Sequence, residues 1–557
     1  MPPLRWYSRP GRSPDLATPY FTPWFRRPSP YPPATTTVSL RPSLVFLLAA
    51  GACGTPAATV QSAPASVSIG PNADELRRDM LVFASDSFGG RETGTPYALK
   101  AAEWIVARAK ALGLEAGGDS GYFHRVPMQR AQLTSGTLTV TPAAGTPSRL
   151  SFGPDLAFLT ALGPGAPLPK NKADAEMVFA GYGVVDTALK RDDYAGLDVA
   201  GKVVVVAALV PPEVPAAKRA EWENPQAIFN RLGPALGRGP AAIVLLLPDS
   251  VYGLAAGQFS GNQISVGSAA AEARQPNRAL PMMAFAPYRD NSPFLPAGWR
   301  AAGKSQPMPG SRFTASYEEA QSNFNGYNVV AIGRGSDPAM RNTYVAFGAH
   351  YDHIGISKGV RGDSINNGAD DDGSGSVTLL AIARSWMQGP RPKRSALFVW
   401  HIGEEKGLFG SEVFTSRPTV PIDSIVAQLN ADMIGRNHPD SLHIVGPGAA
   451  PNGQSALLGS IVDSVNTATA APFRFNREWD TTTHPERVYY RSDHYNYARK
   501  GIPIVFFTTG LHGDYHKVSD EAALIEYDKM ARIGDLMLRT GVALGNRATR
   551  PLAGKVQ

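Results

Sequence analysis

Tyr344-Val345-Ala346-Phe347-Gly348-Ala349-His350-Tyr351-Asp352-His353 is the stretch on which the fold turns. Its first five residues suit a strand buried on both faces, and the chain then passes at once into imidazole and carboxylate. The same succession occurs twice more. Ala396 to Trp400 leads into His401-Ile402-Gly403-Glu404-Glu405, and Ile425 to Leu429 leads into Asn430-Ala431-Asp432. Ile502 to Phe507 is a fourth short apolar run, and Ser376 to Met387 has helical spacing between the first two strands. Strand alternating with helix predicts an α/β fold, a mostly parallel mixed sheet covered by helices on both faces. Ligands of such sheets sit beyond the carboxyl ends of the strands, where the charged residues lie here.

Upstream, Ala98, Ala101, Ala102, Ile105 and Ala109 repeat at helical spacing, and Gly113 supplies a stop. Between about Thr160 and Ala315 the texture changes to short β-rich runs, Met177 to Tyr182, Val203 to Leu209 and Ala242 to Leu247, broken by Gly, Pro and Asp. That stretch reads as a β-rich domain inserted into the first. The expected organisation is therefore a first part over 71–159, the insertion over 160–315, and a second part with the functional site over 316–545.

Carboxylates and imidazoles gathered at the end of a buried sheet repel one another or shed charge unless a cation lies among them. A divalent metal pair removes the conflict. Cys53 is the only cysteine of the 557 residues, which excludes a thiolate cluster and leaves His, Asp and Glu as ligands. Oxygen and imidazole donors of this kind suit zinc.

Six segments in order resemble the M28 family of zinc aminopeptidases and carboxypeptidases. They are His350 to Gly355, Asn367 to Gly375, Glu404 to Ser411, Asp432 to Arg436, Arg491 to His494, and Asp514 to His516. The resemblance implies a zinc-exopeptidase fold, of the phosphorylase/hydrolase-like kind, with the insertion as a protease-associated domain. It also implies two Zn2+ ions, one held by His350 and Asp432, the other by Glu405 and His516, with Asp371 bridging them. Glu404 would then take the proton of the attacking water, which metal coordination acidifies toward neutrality. Asp352, two residues after His350, would accept from the His350 ring nitrogen turned away from the metal and fix its tautomer.

The neighbouring candidates are expected to do other work. Asp370 and Asp372 are read as loop carboxylates, Asp363 and Asn367 as residues that shape the loop presenting Asp371. His353, His401 and His438 are read as structural or solvated, and His494 as a supporting residue. Tyr490 and Tyr515 would touch substrate or simply pack. The glycine-rich run Gly368 to Gly375 lacks the Gly-Lys-Ser/Thr end that grips phosphate.

The net charge of +7 is concentrated at the start of the chain. Residues 1–37 carry Arg5, Arg9, Arg12, Arg26 and Arg27 against Asp15, Arg41 adds one more positive charge, and +2 remains beyond Cys53. So small a balance gives no electrostatic case for nucleic acid. Residues 1–37 are Pro- and Arg-rich, read as disordered and as preceding a start of translation near Val38. Arg41, the apolar run Leu44 to Ala50 and the small residues before Cys53 have the layout of an export signal over 38–53. A plain signal peptide and a lipoprotein signal with a lipidated Cys53 are the alternatives, and that lipid would be the one membrane attachment. Residues 54–70 read as a tether. The expected product is an exported enzyme, periplasmic, outer-membrane-anchored or secreted, acting on peptides. An aminopeptidase leads. A carboxypeptidase that removes C-terminal glutamate, for which Arg361, Arg436, Arg487 and Arg491 are available, and a non-catalytic receptor-like scaffold are the alternatives.

Overall fold

Val, Ile, Phe and Ala dominate Tyr344–His350, Ser395–His401, Ile425–Ala431 and Ile504–Thr508, and every residue of these four strands is buried. A strand without a polar face must be covered on both sides. In the computed structural model, which describes residues 70–159, 169–223, 225–249, 251–252, 263–266, 280–357, 362–448, 454–484 and 486–554, they lie side by side and parallel. Their order is Ile504–Thr508, Ile425–Ala431, Tyr344–His350, Ser395–His401. Antiparallel neighbours flank the set, Ser441–Val445 on one side and Gln306–Gly333 on the other. The sheet is thus mixed and mostly parallel in this region, as the apolar runs predict.

Side chains alternate across each strand, so the sheet carries two cores. Val345, Phe347, Ala349, Phe398 and Trp400 face a core shared with helices Ala73–Phe83, Pro96–Ala111, Gly375–Gln388 and Tyr527–Asn546. Ala346, Leu397 and Val399 face the opposite core, with Phe414 of helix Phe409–Ser416 and Tyr497 of helix His494–Ala498. Phe347 and Phe398 stack with centroids 5.2 Å apart. Helix Tyr527–Asn546 approaches them so closely that a Cβ on Gly541 would strike the Phe347 ring. Helix Gly375–Gln388 falls within one residue of its expected bounds. Pro96–Ala111 stops just before Gly113, whose φ of 73° is the left-handed conformation that ends helices.

Two long antiparallel strands, Phe123–Thr141 and Gln306–Gly333, join this region to the remainder, with a register shift at Glu318/Glu319. One end of the first packs Val126 and Met128 into the helix-covered core. The other end packs Leu138 and Val140 into a separate core with Phe158, Phe179 and Phe313. There, Lys172–Phe179, Val203–Ala207, Ala242–Leu247 and Met282–Pro287 are successive parallel neighbours. The expected leader, Cys53 and nearly all of the tether lie outside the described residues, as does Arg361. Among the described residues no helix is long and apolar enough to cross a membrane.

Candidate metal centre

Parallel strands end on one edge of the sheet, which is how residues distant in sequence meet. His350 is the last residue of its strand, and Asp432 follows directly after Ala431. Glu404 and Glu405 come three and four residues after His401, beyond Gly403, whose φ of 76° turns the chain over the strand end. Asp371 precedes helix Gly375–Gln388, and His516 lies in the loop after the last strand.

These side chains form two adjoining groups. His350 Nε2 is 3.6 Å from Asp432 Oδ1 and 3.8 Å from Glu404 Oε2. His516 Nε2 is 3.1 Å from Glu405 Oε2. Asp371 stands between them, Oδ1 3.2 Å from His350 Nε2 and Oδ2 3.0 Å from His516 Nε2. The second group also includes His353, whose Nδ1 is 2.8 Å from Glu405 Oε1. Within each group the ligand atoms lie within 4.8 Å of one another.

Buried polar atoms ordinarily find partners. Here His350 Nε2, Glu405 Oε2 and both carboxylate oxygens of Glu404 are buried with no hydrogen bond among the described residues. His350 Nδ1 is 3.1 Å from the Asp352 carbonyl. A carbonyl only accepts, so Nδ1 carries a proton, and Nε2, which faces Asp371 and Asp432, is the ring atom left for a metal. Imidazole nitrogens and carboxylate oxygens converging in this way fit a divalent metal such as zinc, which would replace the protons they otherwise share.

The charges tell the same story. Burial opposes protonation of His350, yet Glu404 and Asp432 outweigh it and hold its pKa well above the usual value. Burial also opposes a charged His516, but Glu405 and Asp371 raise it to about 9. Glu405 falls to about 2 because His516 overcomes burial, whereas Glu404, pushed up by burial and then by its carboxylate neighbours, rises well above the ordinary range. Metal-free, the cluster draws in the positive charge that a cation would otherwise supply.

The ring of residues around the centre differs in detail from expectation. Asp352 does not offer its carboxylate to the His350 ring; its Oδ1 stays 3.8 Å from Nδ1. It accepts instead from Thr93 Oγ1 at 2.7 Å and from the Glu404 amide at 3.2 Å, tying two chain segments together. Asp370 and Asp372 are fully buried. Asp372 accepts from the amides of His350, Gly375 and Met433; Asp370 accepts from that of Gly435. Asn367 bonds Asp86 and Glu521, and Asp363 caps the Ile365 amide, so both shape the loop. His401 meets Tyr497, His438 faces Arg474, and His494 is buried on the Tyr489 carbonyl and the Phe506 ring. Arg436 is engaged by Asp514 and Arg487 lies over Tyr490, while Arg491 reaches toward Tyr515.

Sequence reasoning missed two residues. Arg91 is fully buried and donates to the carbonyls of Tyr351 at 2.8 Å, Asn367 at 2.5 Å and Gly368 at 2.8 Å. Burial lowers its pKa to about 10, against the pull of Asp371, Asp520, Asp372 and Asp352. Asp520 accepts the amides of Asp370 and Asp371, at 3.0 and 3.1 Å, and so fixes the loop that presents Asp371. The glycine pair before Arg91 is the one local signal of a special backbone there; nothing in sequence links either residue to the strand ends. Beside the centre opens a recess walled by Met433, Trp479, Val488, Phe506 and Leu511, with Arg491 and Tyr515 at its polar side.

Residues 328–541, which carry every candidate metal ligand, match the model of peptidase family M28. That part of the chain is similar to this family. Among curated relatives, leucine aminopeptidase 1 of Trichophyton equinum is 28% identical over 240 residues, 41% of this chain and 60% of its own length. A probable leucine aminopeptidase of Trichophyton verrucosum is 28% identical over 210 residues, 36% of this chain and 54% of its own length. The chain thus spans little more than half the length of these relatives. Among solved structures, an aminopeptidase from Aneurinibacillus sp. strain AM-1 superposes with a TM-score of 0.54 at 18% identity, covering 87% of this chain and 97% of that one. A zinc aminopeptidase from Bacillus subtilis gives 0.50 at 16% identity, covering 86% and 97%. At such identities the likeness is one of fold, and it extends through the 160–315 region as well as the M28 part.

Proposed function

We propose that this chain is a member of the M28 family, an exported aminopeptidase that uses two zinc ions to hydrolyse the first peptide bond of its substrates. One observation carries the reading: Asp371 turns one carboxylate oxygen to the His350 group and the other to the His516 group. A single bridging carboxylate between two donor sets is what a pair of neighbouring ions requires.

In this reading His350 and Asp432 hold one ion, Glu405 and His516 the other, and Asp371 both. A zinc pair supplies a nucleophile at neutral pH and polarises the scissile carbonyl. Glu404, whose oxygens make no hydrogen bond among the described residues and whose Oε2 faces His350, takes the proton of the attacking water at Oε2 and returns it to the leaving amine. Asp352 holds the Glu404 amide and so positions that base. The side chain of the departing residue enters the recess, whose apolar wall of Met433, Trp479, Val488, Phe506 and Leu511 favours apolar residues.

The aminopeptidase names of the relatives support this choice over a carboxypeptidase. So does the engagement of Arg436 by Asp514, which takes that guanidinium away from a terminal glutamate. The 160–315 region is read as a protease-associated insertion, and export through the 38–53 leader, with or without a lipid on Cys53, as the route to peptide substrates. The test is zinc content together with hydrolysis of leucine p-nitroanilide and of N- and C-terminally blocked dipeptides, with and without chelator. Expected are two zinc ions and chelator-sensitive cleavage that a free N-terminus requires. Metal-free, inactive protein would favour the scaffold reading, and cleavage that requires a free C-terminus the carboxypeptidase.

A further inference from the structure

We infer that His353 is a positioning residue of the His516 half of the centre, holding Glu405 so that only Oε2 is left for the metal. The inference rests on the two-zinc reading above. His353 Nδ1 lies 2.8 Å from Glu405 Oε1, while Glu405 Oε2 faces His516 Nε2 at 3.1 Å. Each carboxylate oxygen therefore has its own direction. An ionised carboxylate only accepts, so Nδ1 carries the proton and the ring donates. Without such a bond a carboxylate meets a cation through either oxygen or both; with Oε1 occupied, a single mode of binding remains.

The ring is held too firmly to serve otherwise. It is fully buried, and the backbone amide of His353 donates to the Arg91 carbonyl at 3.3 Å. Its face lies on Gly368, where a Cβ would come within 2.5 Å of the imidazole Cδ2. Glycine at 368 is thus required by the ring as well as by its own φ of 57°. The ring stands edge-on to His516, centroids 5.5 Å apart, and Nδ1 remains 3.9 Å from Asp371 Oδ2. It takes no part in lining the recess.

The experiment is a zinc titration of the full chain against a chromophoric chelator, for the wild type, His353→Phe and His353→Asn. The wild type is expected to bind two ions. His353→Phe keeps the ring packing without the donor; it should hold the first ion as before and bind the second about 10- to 100-fold more weakly. His353→Asn, which can place an amide N–H near the Nδ1 position, should recover most of that loss. Unchanged binding of both ions by His353→Phe would overturn the inference. So would a folded His353→Asn as weak as His353→Phe, which would make the imidazole nitrogen itself a ligand. Should His353→Phe not fold, His353→Ala takes its place with the same expectation. Fewer than two ions in the wild type would sink the two-zinc reading itself, and that result is seen before any substitution is made.

Discussion

Glu404 and Glu405 are adjacent in the chain and stand in opposite halves of the centre: Glu404 Oε2 is 3.8 Å from His350 Nε2, Glu405 Oε2 is 3.1 Å from His516 Nε2. Consecutive carboxylates therefore have separable tasks. Glu404→Gln preserves shape and removes the base, so zinc content should be unchanged while kcat falls on the order of 100- to 10,000-fold. Glu405→Gln should instead lose zinc from one site. Metal analysis beside leucine p-nitroanilide turnover separates the two, and a fully active Glu404→Gln enzyme would contradict its assigned role.

Asp371 is the residue that both halves share, so its removal should cost more metal than removal of any one-sided ligand. Asp371→Ala is expected to bind neither ion tightly, and Asp432→Ala to retain the His516 site. Metal binding is also linked to stability: with free zinc at about 100 times Kd, each site adds about 2.7 kcal/mol. Chelator should therefore lower the wild-type Tm and leave that of Asp371→Ala where it is. An equal drop in both proteins would place the metal elsewhere.

Arg91 joins three carbonyls of the segments that carry His350 and Asp371, from a fully buried position. Arg91→Met leaves those acceptors unsatisfied and withdraws a positive charge from beside four carboxylates. The loss should be about 3 kcal/mol or more, measured by denaturant unfolding in the presence of chelator so that metal loss does not contribute. A change within about 0.5 kcal/mol, ordinary for a surface substitution, would show that the guanidinium is dispensable.

His494 is buried against the Tyr489 carbonyl and the Phe506 ring, and burial lowers its pKa to about 3. A histidine depressed in the folded state is neutral there while the unfolded chain binds a proton below about 6.5. Its stabilising contribution is complete above that pH and is lost progressively as pH falls toward 3. By pH 5 the loss amounts to about 2 kcal/mol. The Tm of the wild type should accordingly drop more between pH 7 and pH 5 than that of His494→Gln. Parallel curves would remove His494 as a source of acid sensitivity.

What was legible in the sequence follows from local rules. Four largely apolar runs read as buried strands, and the acidic and histidine residues directly after three of them were expected to share one sheet edge, because parallel strands end together. His350, Glu404, Glu405 and Asp432 were thus visible as candidates, and the order of motifs pointed to Asp371 and His516. The helix Gly375–Gln388 was visible for the same reason, since spacing and stop signals are properties of consecutive residues.

The tertiary structure decided the rest. His353 reads as one more loop histidine until the Glu404-Glu405 turn is folded against it; 52 residues separate it from Glu405, and no periodicity spans that interval. Asp352 carries a carboxylate close to His350 in sequence, yet backbone geometry turns its carbonyl to the ring and its side chain to Thr93 and Glu404. Arg91 and Asp520 reach the centre from 260 residues before and 149 residues after the segments they hold. Sequence determines which groups stand at the ends of strands, because that is local chemistry; which atom of each group faces which neighbour depends on how the loops close over the sheet, and only packing settles that.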